Sequence, residues 1–286
     1  MTDSELLKKP LKVVLLQIKA GFDKTKNLQN AASFLEKAMN QYPDADLAVL
    51  PECFNSPYSV SEFANYAENI PNGESTQFLS SLAKKHEVML VGGTIPELGD
   101  DSKIYNTSVT FNREGEIIGK FRKIHLFDID IPGGITFKES ITLTGGDELI
   151  TLNLPGFGSM GEGICYDARF PELAAISARK GCFGMVYPGA FNTVTGPLHW
   201  HLLAKARAVD NQMFVIFCSP SRDTDFSYHA YGHSLVVDPN GKILAEAQEG
   251  DEIVYAELDP EVLVRTRASI PVTTQRRFDV YTDVAK

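Results

Sequence analysis

Cys165 sits in Gly161-Glu-Gly-Ile-Cys-Tyr-Asp-Ala-Arg-Phe-Pro-Glu172, where a strand-like run gives way to a helical one within a few residues. A thiol held at such a turn feels the positive end of the helix dipole and nearby free N–H groups, both of which favour the thiolate. The same N–H groups can hold a developing oxyanion, as they do at a strand-turn-helix nucleophile elbow. Covalent catalysis at a carbonyl is the chemistry this setting suits, and a buried structural thiol is its ordinary alternative.

Two further segments carry groups that could serve a thiol nucleophile. Glu52 follows the apolar run Leu47-Ala-Val-Leu-Pro, a buried strand, so its side chain points into the crevice where α/β sheets bind ligands. A helix N-cap or a solvated loop carboxylate is the ordinary reading of such an acid. Cys53, beside it, is a weaker nucleophile candidate because no helical turn follows at once. Lys123 lies in Gly119-Lys-Phe-Arg-Lys-Ile-His-Leu-Phe127, where strand alternation places Lys123, His125 and Phe127 on one face. Solvated edge charge is the competing reading there. Asp128-Ile-Asp-Ile-Pro-Gly-Gly134 is long enough to rim a pocket, and Glu139 follows it as a second carboxylate that would keep a buried lysine charged and oriented. Imidazole is the common partner of a reactive thiolate, so His125, His199, His201, His229 and His233 keep a Cys-His arrangement open.

Positioning these groups requires strand ends, and the hydrophobic pattern supplies them. Residues 11–18, 47–50, 88–92, 183–187 and 214–218 read as buried strands, and 27–40, 75–85, 171–180 and 198–211 carry apolar residues at helical spacing. Gly115 and Gly241 close two hairpin turns, between 108–111 and 116–120 and between 234–237 and 242–246. Antiparallel hairpins among crossover units make the sheets mixed, and so many short strands favour two stacked sheets with helices outside. The expectation is an α/β four-layer α-β-β-α sandwich, with a tail over 1–10, one domain over 11–259, and a helix and polar tail over 260–286.

Composition narrows the partners. The 286 residues are 43% hydrophobic and carry a formal net charge of -10, which argues against nucleic acid, whose affinity rests on clustered Lys and Arg. No run approaches the roughly 18 apolar residues of a membrane helix. The first ten residues lack both the apolar core of a signal peptide and the Arg-rich face of a transit peptide, so a cytoplasmic protein is expected. Cys53, Cys165, Cys182 and Cys218 form no CxxC pair and have no His partner at zinc spacing, which leaves metal and disulfide readings weak.

LPECF at 50–54, FRKIHLF at 121–127 and GICYDARFPE at 163–172 together resemble the nitrilase, or carbon-nitrogen hydrolase, superfamily, whose mark is a Glu, a Lys and a Cys on three strand ends. The similarity runs from Leu11 to Asp259 and includes YPGAF at 187–191 and ARAVDNQ at 206–212. LPECFNSPY at 50–58, KIHLFDIDIPG at 123–133 and TGPLHW at 195–200 are most similar to the omega-amidases, which hydrolyse the terminal amide of small dicarboxylate monoamides such as 2-oxoglutaramate and 2-oxosuccinamate. A sibling subgroup acting on deaminated glutathione, and nitrilases and N-carbamoyl amidases more distantly, share the Glu-Lys-Cys set.

The resemblance implies Cys165 as nucleophile, Glu52 as general base and acid, and Lys123 with the backbone N–H of Tyr166 as oxyanion stabilisers. It implies Glu139 as the group that orients Lys123 and substrate, and Arg169 as the cation for a free substrate carboxylate, with Thr195 as a secondary contact. A helix-start salt bridge from Arg169 to Asp167 or Glu172 is the alternative use of that guanidinium. No metal or organic cofactor, nucleic acid or membrane is expected. The likeness also suggests a homodimer, with 260–286 packing at its interface, and leaves a mitochondrial fraction open beside the cytoplasmic one. Glu162 departs from the pattern, because relatives carry an apolar strand residue there, and it is expected to face a polar surface or a subunit partner.

Overall fold

A computed structural model describes residues 6–130 and 136–286 of the chain. The first five residues, and most of the loop that was expected to rim a pocket, lie outside the described residues. Leu6 and Leu7 do not belong to a solvated tail: both are buried, and Lys8 N–H donates to the carbonyl of Phe157 at 2.9 Å.

Helix and strand alternate through the first half of the chain: β1 (Leu11–Gln17), α1 (Lys24–Gln41), β2 (Leu47–Val49), α2 (Glu74–His86), β3 (Met89–Val91), β4 (Ile95–Leu98), β5 (Ile104–Phe111) and β6 (Ile117–Arg122). A small hairpin of β7 (Asp128–Asp130) and β8 (Thr136–Lys138) follows. The second half contains β9 (Thr151–Leu154), β10 (Gly158–Glu162), α3 (Pro171–Arg179), β11 (Cys182–Pro188), α4 (Thr195–Asn211), β12 (Phe214–Cys218), β13 (Leu235–Val237), β14 (Ile243–Glu246), β15 (Glu252–Leu258) and α5 (Pro260–Ser269).

These strands make two mixed sheets. In the seven-stranded sheet the order is β15-β1-β2-β3-β5-β4, with β6 paired to β5; the six-stranded sheet runs β14-β13-β12-β11-β10-β9. Strand alternation divides the core into layers. Val13, Leu15, Leu47 and Val49 point between the sheets and meet Leu152, Met160, Val186 and Ile216 from the other one. Val14, Leu16, Ala48 and Leu90 point the opposite way, onto Leu28, Leu35 and Leu79 of α1 and α2. On the far side, Met185, Tyr187, Val215 and Phe217 pack under Leu173, Trp200 and Ala204 of α3 and α4. Each such side chain is worth about 1.5–3 kcal/mol relative to exposure, so the four-layer α-β-β-α sandwich follows from the sidedness of these strands.

Local signals start and stop the helices as their chemistry requires. Asp23 caps α1 by accepting from the Lys26 N–H, Pro171 opens α3, and Asp259 caps α5, whose first residue is Pro260. Glu74 in the first turn of α2 and Lys84, Lys85 and His86 in its last turn complement the helix dipole. Gly115 turns the β5–β6 hairpin at φ 81°, and an added Cβ there would lie 2.4 Å from the carbonyl oxygen of Ser80.

One expected strand is shorter than the pattern suggests. β6 ends at Arg122, so alternation does not carry through to Phe127. The ladder to β5 runs one bond further, Lys123 N–H donating to the Asn106 carbonyl at 2.8 Å; the chain then bends at Ile124 and His125, and Asp167 accepts from the His125 N–H at 2.8 Å. Lys123 and His125 therefore do not share a face in the way a continued strand would impose.

Candidate active site

Glu52, Lys123 and Cys165 each lie one to three residues past the last residue of a strand, β2, β6 and β10 respectively. All three are buried, and so is Glu139, in the short 3₁₀ turn Glu139–Ile141. Lys123 Nζ stands 3.0 Å from Glu52 Oε1 and 2.9 Å from Glu139 Oε1. Asn106 Nδ2 donates to Glu52 Oε1 at 2.8 Å, and the Ala190 N–H donates to Glu52 Oε2 at 2.8 Å. Tyr58 hydroxyl donates to Glu139 Oε1 at 2.7 Å, and the Phe127 N–H to Glu139 Oε2 at 2.7 Å. Four carboxylate oxygens in the protein interior thus all meet donors.

Cys165 opens the 3₁₀ turn Cys165–Arg169 that links β10 to α3, and its φ of 47° lies in the left-handed region. A non-glycine residue there is held by its surroundings. Asp167 supplies much of the hold, accepting from the Ile164 N–H at 2.9 Å and from His125. From the other side Gly189 packs so closely that a Cβ would meet Cys165 Cα at 3.0 Å. Arg207, itself buried, ties the same turn to α4 by donating to the carbonyls of Ala168 and Arg169 at 3.0 and 3.1 Å.

Electrostatics differ from the expectation of a resting thiolate. Burial, then the charge of Glu52, pushes the Cys165 thiol well above its ordinary pKa, and Lys123 only partly opposes this. Desolvation in the closed site outweighs any help from the short turn's dipole. Burial also raises Glu52, against the pull of Lys123 and a hydrogen bond from Cys165. Burial disfavours the Lys123 ammonium, yet Glu139 and Glu52 outweigh it and hold its pKa well above the usual lysine value. The arrangement is a neutral thiol beside a carboxylate of raised basicity and a permanent cation, so the thiol proton has a nearby acceptor.

A narrow pocket beside Cys165 is lined by Phe127, Tyr166, Arg169, Phe191, Thr195 and Tyr228. Tyr228, with Tyr58, also borders a wider cavity of about 630 Å³ lined further by Phe137 and Lys138. Arg169 and Thr195 are therefore brought to the sulfur. Arg169 makes no ion pair with Asp167 or Glu172 among the described residues; its Nη1 lies 3.0 Å from His199 Nδ1, and its guanidinium stands 4.7 Å from the Phe191 ring. Thr195 Oγ1 donates to Asn192 Oδ1 at 3.1 Å at the start of α4.

Among the described residues no histidine hydrogen-bonds to Cys165. His125 Nδ1 is 2.8 Å from Asp167 and its ring stacks on Phe170, His199 meets Arg169, and His201 and His233 meet Glu246. Cys53 accepts a long contact from Thr94 Oγ1 at 3.9 Å, and burial raises its pKa well above the ordinary value. Cys182 and Cys218 are buried, with pKa values pushed up to about 11 and about 12.

Sequence reasoning missed Tyr58, Asn106, Ala190, Asp167 and Tyr228. Tyr58, Ala190 and Asp167 stand inside the motifs quoted above; Asn106 shows only as a polar residue on a strand, and Tyr228 carries no signal in its loop. Glu162 requires a correction. It faces no surface or partner: as the last residue of β10 it follows Met160 in pointing between the sheets, where it is wholly buried. Neither carboxylate oxygen has a well-formed hydrogen bond among the described residues, and burial raises its pKa to about 7, which the nearby Ser108 eases only in part.

A mixed two-sheet sandwich with a buried Glu-Lys-Cys set on its strand ends defines a class, and the comparisons agree with it: the family model for carbon-nitrogen hydrolase matches residues 12–268, so the chain belongs to that family. It is 60% identical to omega-amidase NIT3 of Saccharomyces cerevisiae over 289 residues, covering 99% of both chains. To omega-amidase NIT2 of Homo sapiens it is 50% identical over 270 residues, 94% of this chain and 96% of the relative. Among solved structures, Saccharomyces cerevisiae Nit3, a member of branch 10 of the nitrilase superfamily, superposes with a TM-score of 0.90 at 56% identity, covering 96% of this chain and 99% of that one. The C. elegans NitFhit protein gives 0.83 at 29% identity, with 96% of this chain and 66% of that one covered.

Proposed function

We propose that this enzyme is an omega-amidase, which hydrolyses the terminal amide of small dicarboxylate monoamides such as 2-oxoglutaramate and 2-oxosuccinamate to the dicarboxylate and ammonia. Full-length similarity to the omega-amidases supports the reaction class. The observation that carries the substrate class is Arg169, a guanidinium beside the nucleophile with no carboxylate partner among the described residues. A substrate carboxylate would supply that partner through paired, charge-assisted hydrogen bonds.

In this reading Cys165 Sγ attacks the amide carbon while its proton passes to Glu52. The carbonyl oxygen becomes an oxyanion held by Lys123 and the Tyr166 N–H. Glu52 then protonates the amide nitrogen, ammonia leaves, and a thioester to Cys165 remains. Glu52, again a carboxylate, removes a proton from water as it attacks the thioester; collapse of the second tetrahedral intermediate releases the acid and returns the proton to sulfur. Glu139 keeps Lys123 charged and aimed throughout, which its 2.9 Å contact supports.

Steady-state kinetics on a panel of oxo-acid monoamides, simple aliphatic amides, nitriles, N-carbamoyl amino acids and deaminated glutathione test the assignment. The oxo-acid monoamides should turn over fastest, and Arg169→Ala should raise their KM roughly ten- to hundredfold, the worth of a charged hydrogen bond, while leaving uncharged amides nearly unaffected. Equal turnover of simple amides would sink the substrate assignment. A homodimer belongs to the same reading, and Leu198, Leu202 and Val209, exposed along α4, with Val194 just before it, support it; a monomeric mass in sedimentation would remove it. The segment after α5 folds back on its own chain, where Asp283 pairs with Arg179 at 2.9 Å, so its share in a dimer interface rests on family likeness. Among the described residues no helix is long and apolar enough to cross a membrane. Four free cysteines support a reducing compartment such as the cytoplasm, which cell fractionation would test.

A further inference from the structure

Away from the catalytic pocket, three ligand-type side chains converge at a second place. His201 comes from α4, His233 from the segment entering β13, and Glu246 from the end of β14. His201 Nε2 lies 2.7 Å and His233 Nδ1 2.9 Å from one and the same oxygen, Glu246 Oε1. The three ligand atoms all fall within 4.8 Å of one another. We propose that His201, His233 and Glu246 form a binding site for a divalent metal ion of the zinc class, which staples α4 to the β13–β14 hairpin.

The donor set fits that class of ion. Two imidazole nitrogens and one carboxylate oxygen suit zinc and its borderline neighbours, and three protein ligands leave a position for water. Without a metal, each imidazole presents an N–H to the shared oxygen, so one cation takes the place of two ring protons. Bonds of about 2.0–2.1 Å at tetrahedral angles set ligand atoms roughly 3.3 Å apart. The two observed edges need to open by only about half an ångström to reach that spacing.

The ligands are also held in place before any ion arrives. Tyr231 stacks on the His233 ring with centroids 4.3 Å apart, and His233 takes a left-handed φ of 58° directly after Gly232 at 76°. Trp200, adjacent to His201, donates from Nε1 to the His233 carbonyl at 2.7 Å, which ties the helix to the loop. Glu246 is set opposite Leu235 by the β13–β14 register. Burial alone would raise the Glu246 carboxyl, but hydrogen bonds from His201 and His233 outweigh it and hold the pKa below the usual value, so the ligand is anionic. Side-chain exposures of 30% for His201, 17% for His233 and 25% for Glu246 leave a path for an ion to enter. The site contributes no group to the reaction at Cys165; it bears on α4, whose first residue lines the catalytic pocket.

Zinc chloride titrated calorimetrically into the full chain carrying Cys165→Ala, which removes the competing catalytic thiol, is the test. The expected result is one equivalent bound per chain and a melting temperature that rises with zinc. Glu246→Gln and His201→Ala should each weaken binding by more than about a hundredfold, since removing even a group behind a metal ligand costs roughly 10–100-fold, and abolish the rise in melting temperature. Circular dichroism without zinc checks that the variants fold; if His201→Ala does not, Glu246→Gln, which keeps an acceptor for both rings, carries the test. No saturable binding, or binding equal in the parent and Glu246→Gln, would show the cluster to be a hydrogen-bonded His-Glu-His group and overturn the proposal.

Discussion

Glu52 and Glu162 make an instructive pair: both are wholly buried acids at the ends of strands, and burial is the largest influence on both. Their surroundings part company after that. Glu52 meets Lys123, Asn106 and the Ala190 N–H, so each oxygen has a donor and a cation stands beside the charge. Glu162 meets none of these, and among the described residues neither of its oxygens has a well-formed bond. Burial raises a carboxyl's basicity wherever it occurs; convergent donors decide whether the charged form can still be held and used. The first acid is equipped to accept and return protons, and the second is a stability liability between two sheets.

Neutralising each acid separates these roles. Glu52→Gln should lower kcat by roughly 10²–10⁴, the usual worth of a general base, with little loss of melting temperature. The acid limb of the parent's kcat/KM should fall above the ordinary carboxylate range, because burial raises Glu52, and the variant should lose that limb. A variant with near-parental turnover would remove Glu52 from the chemistry.

For Glu162 the readout is stability, not rate. The folded chain keeps a proton on Glu162 up to about pH 7, whereas the unfolded chain releases it near the ordinary value of 4.5. Stability is therefore fully present below that lower value, falls as pH rises through the window, and levels off above about 7. Glu162→Gln should flatten this slope and stabilise the protein at pH 8 by up to about 3 kcal/mol, with much less gain at pH 5 and little change in kcat. Equal denaturant midpoints for parent and variant across that range would contradict the buried, unpartnered placement.

The cationic side sharpens the comparison, and His125 gives its smallest effect. Lys123→Ala removes the cation beside Glu52 and should cost about 10²–10³ in kcat, as loss of an oxyanion donor does. His125→Ala should cost less than about tenfold, since its ring engages Asp167 and Phe170 instead of the thiol and its loss removes a single hydrogen bond. The reverse order would restore imidazole as the base.

Much of the fold was legible from side-chain periodicity. The expected strand at 214–218 matches β12, the helix at 171–180 matches α3 to one residue, and the two glycine turns join β5 to β6 and β13 to β14. The failures share a cause. Alternation through Lys123 and His125 failed because the chain bends out of the β5–β6 ladder just after Lys123, where Asp167, from a distant segment, takes the His125 N–H. A thiolate at Cys165 was expected from a local turn, but the pKa of a buried thiol is dominated by desolvation and by charges from other strands.

From the sequence alone came the alternation of strand and helix, the places where strands end, and the residue types set there, because backbone preference and side-chain period act over a few neighbouring residues. The tertiary structure decided which ends meet. Residues 52, 123, 139 and 165 become one site only because the two sheets stack and bring their strand ends together. It also decided that Glu162 faces the interior and that His201, His233 and Glu246 share a point in space. Such distances depend on the packing of whole layers, which no local pattern encodes.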